Sequence, residues 1–255
     1  MKREKAKKLV NAFLGKQSLG EEWNDTFLNG EKLAGKPLSE MILDLKSLSE
    51  EQWGLYAFSR EPLEGKFTRQ QKIEYTKRAA ACGREEAKML LEKLGSRNGR
   101  AAAASLGFKV STPDMPNGGG HVIFAQYEEP DQITIFMDGI SKAEMMMKEE
   151  AVAEVLEHQD LFELLLAHEL FHGIEYQKRD IIYTQIEKIE LWRKPFSNRS
   201  RIIALGEIAA MAFAGQWMGI SWMPYVLDVA LMWCYEPKAA EALYREIMEL
   251  CYSEE

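Results

Sequence analysis

Histidine is scarce in this chain: there are 4 in 255 residues, beside 3 cysteines and 8 prolines. The cysteines, Cys82, Cys234 and Cys251, are odd in number and far apart. They make no disulfide framework, and no CxxC pair offers a thiolate metal site. A reducing compartment suits such a composition. The basic N-terminus, MKREKAKKLVNAFLGKQ, leads into no apolar run of signal-peptide length. The expected location is therefore cytoplasmic.

Long blocks of one charge are missing too. Residues 1–110 hold 21 Lys and Arg against 15 Asp and Glu, and residues 111–255 hold 11 against 25. The basic half is too mixed in sign to mark a nucleic-acid surface. The acidic half favours a cation, or a basic peptide, through its field. One long apolar run exists, residues 202–223 (IIALGEIAAMAFAGQWMGISWM). Glu207 and Gln216 would be costly in lipid, and Pro224 and Asp228 follow closely. A buried helix is expected there rather than a membrane span.

What is present suffices for a core. The chain is 46% hydrophobic and 28% charged, which fits an ordered globular protein. Residues 1–105 read as a region of short helices. Leu9, Val10, Phe13 and Leu14 have helical spacing, as do Trp23, Phe27 and Leu28. Ser39 is expected to open another helix. Thr68 to Leu94 is strongly helical, and Gly83 is expected to divide it into the two arms of a hairpin. Ser111–Gly120 reads as a loop. His121–Tyr127 and Gln132–Met137 read as a β-hairpin. A polar helix over Ala143–Glu157 comes next, with His158 near its end in a surface or capping role. Asp160 is a plausible N-cap for the next helix. All that follows reads as helix, broken near Pro195–Ser200, Pro224 and Pro237. Helices, a small sheet, then helices make an α+β pattern, with residues 106–255 forming the second unit.

Two of the four histidines stand together in His168-Glu169-Leu170-Phe171-His172. On a helix, side chains four apart share a face. Two imidazoles so placed can grip one metal ion, and the intervening glutamate can act as general base. The flanking sequence is apolar nearly all round, so this helix should be buried. Buried polar groups need partners, and a metal would supply one.

Leu165 to Ile174 resembles the extended signature of the zincin metallopeptidases, in which HExxH is flanked by uncharged residues. The resemblance implies a zincin-like fold, bound Zn²⁺, His168 and His172 as ligands, and Glu169 as the catalytic base. The metzincin continuation is missing, since Glu175 and Lys178 stand where its glycine and histidine would be. The gluzincin branch takes its third ligand from a downstream helix, and Glu207 is the candidate there. It is the one carboxylate in a run of small apolar residues, and it begins an ExxA pattern ending at Ala210. The longer form, ExxAxxFA, is similar to that of the ImmA/IrrE-like peptidases, although Met211 replaces their usual asparagine. Glu190 is the next candidate; Glu175, Asp180 and Glu187 also compete. Glu175, three residues after His172, could support a ligand. Tyr183, Tyr225, Tyr235 or His121 could stabilise an oxyanion. The same resemblance implies that the hairpin edge receives an extended peptide.

The expected function is hydrolysis of a peptide or protein substrate by a metal-activated water. The alternatives are a non-catalytic zinc protein whose N-terminal helices bind a partner, and an intramembrane protease using Asp228 as a further ligand.

Overall fold

The computed structural model describes residues 35–114, 123–192 and 198–252. The helices expected around residues 9–14 and 23–28, Gly118–Gly120, His121 and Pro195 lie outside these ranges.

The architecture is mostly helical with a small mixed sheet, an α+β arrangement. The described residues open with α1 (Leu38–Lys46), α2 (Glu50–Ser59), α3 (Arg69–Leu94) and α4 (Gly99–Ser105). Strands β1 (Lys109–Ser111), β2 (Ala125–Glu128) and β3 (Gln132–Ile135) follow. Then come α5 (Met137–Met146), α6 (Glu150–Val155), α7 (Leu161–Gln177) and α8 (Tyr183–Ile186). A second hairpin, β4 (Lys188–Trp192) and β5 (Asn198–Arg201), precedes α9 (Ile203–Met218), α10 (Val226–Trp233) and α11 (Pro237–Tyr252).

Helix starts follow local chemistry. Ser49 with Gln52, and Thr68 with Gln71, close reciprocal capping boxes at α2 and α3. Asp160 caps α7 by accepting the Glu163 N–H at 3.1 Å. His158 is exposed at φ 50°, and its N–H reaches back to the Ala153 carbonyl at 2.8 Å. It closes the end of α6, a capping role.

The sheet has the order β1-β3-β2. β1 runs parallel to β3, and β2 runs antiparallel to it with Ala125 opposite Ile135. The Phe136 N–H donates to the Phe124 carbonyl at 2.9 Å. In an antiparallel pair the bonding residues alternate, so Gln126 and Glu128 also bond to β3. Ala125 and Tyr127 then direct their backbone groups to the outer edge of β2.

A single cluster of buried residues runs from Leu38 to Cys251 and draws on both sides of residue 105. α7 lies at its centre, against α9, β2, β3, α4 and α5. α9 lies between α7 and α3. Apart from the polar residues of one site, α7 and α9 are apolar nearly all round, as suits helices enclosed by protein. Among the described residues, no helix is long and apolar enough to cross a membrane.

Four expectations need correction. The polar helix expected over Ala143–Glu157 is two, the end of α5 and the whole of α6, with a turn between Met146 and Glu150. Gly83 does not divide its segment: α3 is one helix of 26 residues. A Cβ at Gly83 would stand 1.9 Å from the Ala209 carbonyl oxygen, so the glycine allows α3 to touch α9. Close approach, rather than a turn, is its role. The helix expected to open at Ser39 begins at Leu38, with Pro37 at its N-cap and no side-chain acceptor. Residues after Asp160 are not all helix, since β4 and β5 pair with Lys188 opposite Arg201. Lys188 and Glu190 are exposed and Ile189 and Leu191 half-buried, a period of two hidden by the abundance of charge.

Gly83→Ala tests the packing. Helix propensity alone would stabilise the variant by about 1 kcal/mol. The clash with Ala209 should reverse the sign and cost about 3 kcal/mol in urea denaturation. A variant more stable than the parent would remove this contact as the reason for the glycine.

Candidate metal centre

α7 supplies His168 and His172 from one face, and α9 brings Glu207 against them. The two Nε2 atoms lie 3.1 Å apart. Glu207 Oε2 is 3.5 Å from His168 Nε2, and Oε1 is 3.6 Å from His172 Nε2. The ligand-capable atoms of the three residues all lie within 4.8 Å of one another, and among the described residues this group alone could hold a metal ion. Exposure is 1% for His168, 7% for His172 and 8% for Glu207. Glu207 Oε2 is buried and accepts no hydrogen bond. A carboxylate so placed calls for a cation.

Glu169 follows His168 and is also buried. Burial raises its carboxyl pKa, and Glu207 adds to this. The two imidazoles and the Tyr127 backbone N–H oppose the rise without cancelling it. The outer edge of β2 therefore faces the site through Tyr127. A carboxylate with a raised pKa beside metal-ligating groups is suited to take up and return a proton.

Glu175 stands behind His172. Its Oε2 is 3.6 Å from His172 Nδ1, which leaves Nε2 turned towards His168 and Glu207. Burial opposes ionisation of Glu175, but His172, then Thr184 and Gln185 of α8, hold its pKa below the usual value. A Cβ on Gly206 would come within 3.0 Å of Glu175 Oε1, so this glycine gives the carboxylate its space. Gln185 also accepts from Arg201 of β5 at 2.5 Å, which ties the second hairpin to this outer layer. At 3.6 Å the contact between Glu175 and His172 is a charge interaction rather than a hydrogen bond, and it keeps Nδ1 on the Glu175 side of the ring.

No family model, curated protein or solved structure matches this chain.

The remaining candidates separate clearly. Glu190 and Asp180 are exposed, and Glu187 pairs with Arg78 at 3.4 Å. None of the three joins the buried group. Tyr235 donates to Asp138 at 2.8 Å. Tyr183 lies beneath the Arg78 guanidinium, 4.4 Å from ring centroid to Cζ. Tyr225 is buried, and its hydroxyl makes no hydrogen bond. Burial, then the charges of Glu207 and Asp228, raise its phenol pKa well above the ordinary value. Glu207 acts on Tyr225 but is not among the charges that act on Tyr183.

Sequence reasoning overlooked a second buried polar group beside this one. The Tyr56 hydroxyl donates to Asp228 Oδ2 at 2.7 Å, and Arg60 Nη1 lies 3.6 Å from the same oxygen. Burial pushes the Asp228 carboxyl up to about 7, against the pull of Arg60. The sequence singled out Asp228 only as a carboxylate just beyond the apolar run, since its partners lie on α2 and at the C-cap of that helix, more than 160 residues earlier in the chain.

Burial would lower the His172 pKa, but Glu207, Glu175 and Glu169 raise it to about 9. Protons and metal therefore compete for this imidazole. Apparent metal affinity should rise roughly tenfold per pH unit from pH 6.5 to 8.5, read by titration against a competing chelator. Glu175→Gln should weaken the metal by about 10- to 100-fold and reduce the pH slope. Wild-type affinity in that variant would show that Glu175 does not support His172.

Proposed function

We propose that the chain is a zinc-dependent peptidase of the zincin type, gluzincin-like in its ligand set. The observation that carries the reading is the triangle of two Nε2 atoms and one carboxylate, with edges of 3.1, 3.5 and 3.6 Å. Tetrahedral zinc with bonds of about 2.0–2.1 Å has ligand–ligand edges of about 3.3–3.4 Å. His168, His172 and Glu207 would hold the ion through those atoms. When bound, zinc acidifies water and polarises a carbonyl.

The chain's own residues supply the rest. Glu169 takes the proton of the attacking water on its carboxylate and passes it to the leaving amine. The raised Glu169 pKa suits both steps. Glu175 keeps His172 Nε2 directed at the metal. Tyr225, whose buried hydroxyl makes no hydrogen bond, is the candidate tyrosine for donating to a developing oxyanion, and this role supports rather than carries the reading. The outer edge of β2 is unpaired within its sheet. It offers the backbone groups of Ala125 and the carbonyl of Tyr127 beside Glu169, so an extended peptide can lie along it as an added strand.

The deep burial of the three ligands favours a second reading, in which the metal only ties α7 to α9. Glu169 speaks against it, because a structural site has no use for a buried base.

Glu169→Gln should keep one equivalent of zinc while peptide hydrolysis falls by about 100- to 10,000-fold. Equal turnover by the variant would end the mechanism. Wild type that unfolds on chelation and hydrolyses no peptide in a broad library would favour the structural reading.

A further inference from the structure

α9 carries Glu207 but begins without a cap of its own. Ile202 occupies its N-cap and offers no side-chain acceptor. The acceptor comes from Glu61, just past the end of α2 and 143 residues away. Its Oε2 accepts the Ala204 N–H at 3.0 Å, and its Oε1 accepts the Leu63 N–H at 3.2 Å. The residue is 5% exposed, so water does not take its place. A carboxylate here satisfies an orphan N–H and complements the positive end of the helix.

Ala204 precedes Glu207 by three residues and shares its face of the helix. A shift of this first turn is passed directly to the ligand carboxylate. The residue before Glu61 secures the other flank. Arg60 lies over the Tyr56 ring at 4.2 Å and beside Asp228 of α10. Tyr225, at the start of α10, stacks on Trp53 of α2 with centroids 5.6 Å apart. The α2 segment therefore contacts both α9, which carries Glu207, and α10.

We propose that Glu61 is a positioning residue for Glu207. It sets the first turn of α9 so that the carboxylate meets His168 and His172, which makes the N-terminal stretch part of the metal centre. This rests on the metal-site reading above. Glu61 touches neither metal nor substrate, and its effect passes through the Ala204 N–H.

The test uses the full chain and zinc alone, with affinity measured by chelator competition well below the melting temperature. The Co²⁺ form gives a second readout through its visible absorption bands. Glu61→Ala should weaken zinc by roughly tenfold or more and shift the Co²⁺ bands. Glu61→Gln retains an acceptor for the Ala204 N–H and should bind within about threefold of wild type. Asn98→Ala removes the cap of α4 and controls for loss of stability alone; it should leave zinc affinity unchanged. Should Glu61→Ala fail to fold, Glu61→Asp withdraws the carboxylate by one methylene and carries the same expectation.

Wild-type zinc affinity in Glu61→Ala, or in Glu61→Asp if that variant replaces it, would overturn the proposal and leave the metal centre standing. An equal loss in Asn98→Ala would overturn it too, by reducing the effect to stability. Absence of zinc binding in wild type would instead overturn the metal-site reading.

Discussion

The structure depends on one electrostatic constraint: Glu207 is buried in an apolar helix against two imidazoles. A lone carboxylate in such a place is strongly disfavoured. It is tolerable when a positive charge shares the space, whether a protonated imidazole or a metal ion. The rise of the His172 pKa to about 9 expresses the first solution. A divalent cation is the second, and it would satisfy Glu207 together with both imidazoles. Much of the surrounding chain keeps these groups close, dry and correctly turned.

Close approach needs small residues at particular points. Gly83 lets α3 reach the backbone of α9, and Gly206 leaves room for the Glu175 carboxylate. Glu61 and Arg60 then hold the ends of α9 and α10 from the side of α2. The buried acids have separate partners: Glu175 has His172, Asp228 has Tyr56 and Arg60, and Glu61 has two backbone N–H groups. Glu207 Oε2 accepts no hydrogen bond, and Glu169 has the Tyr127 N–H. That division sets the structural acids apart from those suited to a metal and its chemistry.

Legibility in the sequence followed the range of the interaction. The helix bearing the two histidines, its Asp160 cap, the β2–β3 hairpin and the burial of residues 204–215 all rest on spacing within a few residues. The local pattern exposed them. Gly83 misled because a glycine in a helix marks a break or a close contact, and the contacting atom is 126 residues away. The β4–β5 hairpin was missed because its alternation is short and heavily charged. Glu61 left no signal, since a capping carboxylate normally lies beside the helix it serves.

The sequence by itself determined the pair of imidazoles, the glutamate between them and the apolar character of the two helices concerned. These are properties of neighbouring residues, and helical geometry translates them directly into a shared face. Only the tertiary structure decided which distant carboxylate meets the pair, which acid supports His172 and which strand edge faces Glu169. Those choices depend on how whole helices pack, and packing is settled by contacts between residues far apart along the chain.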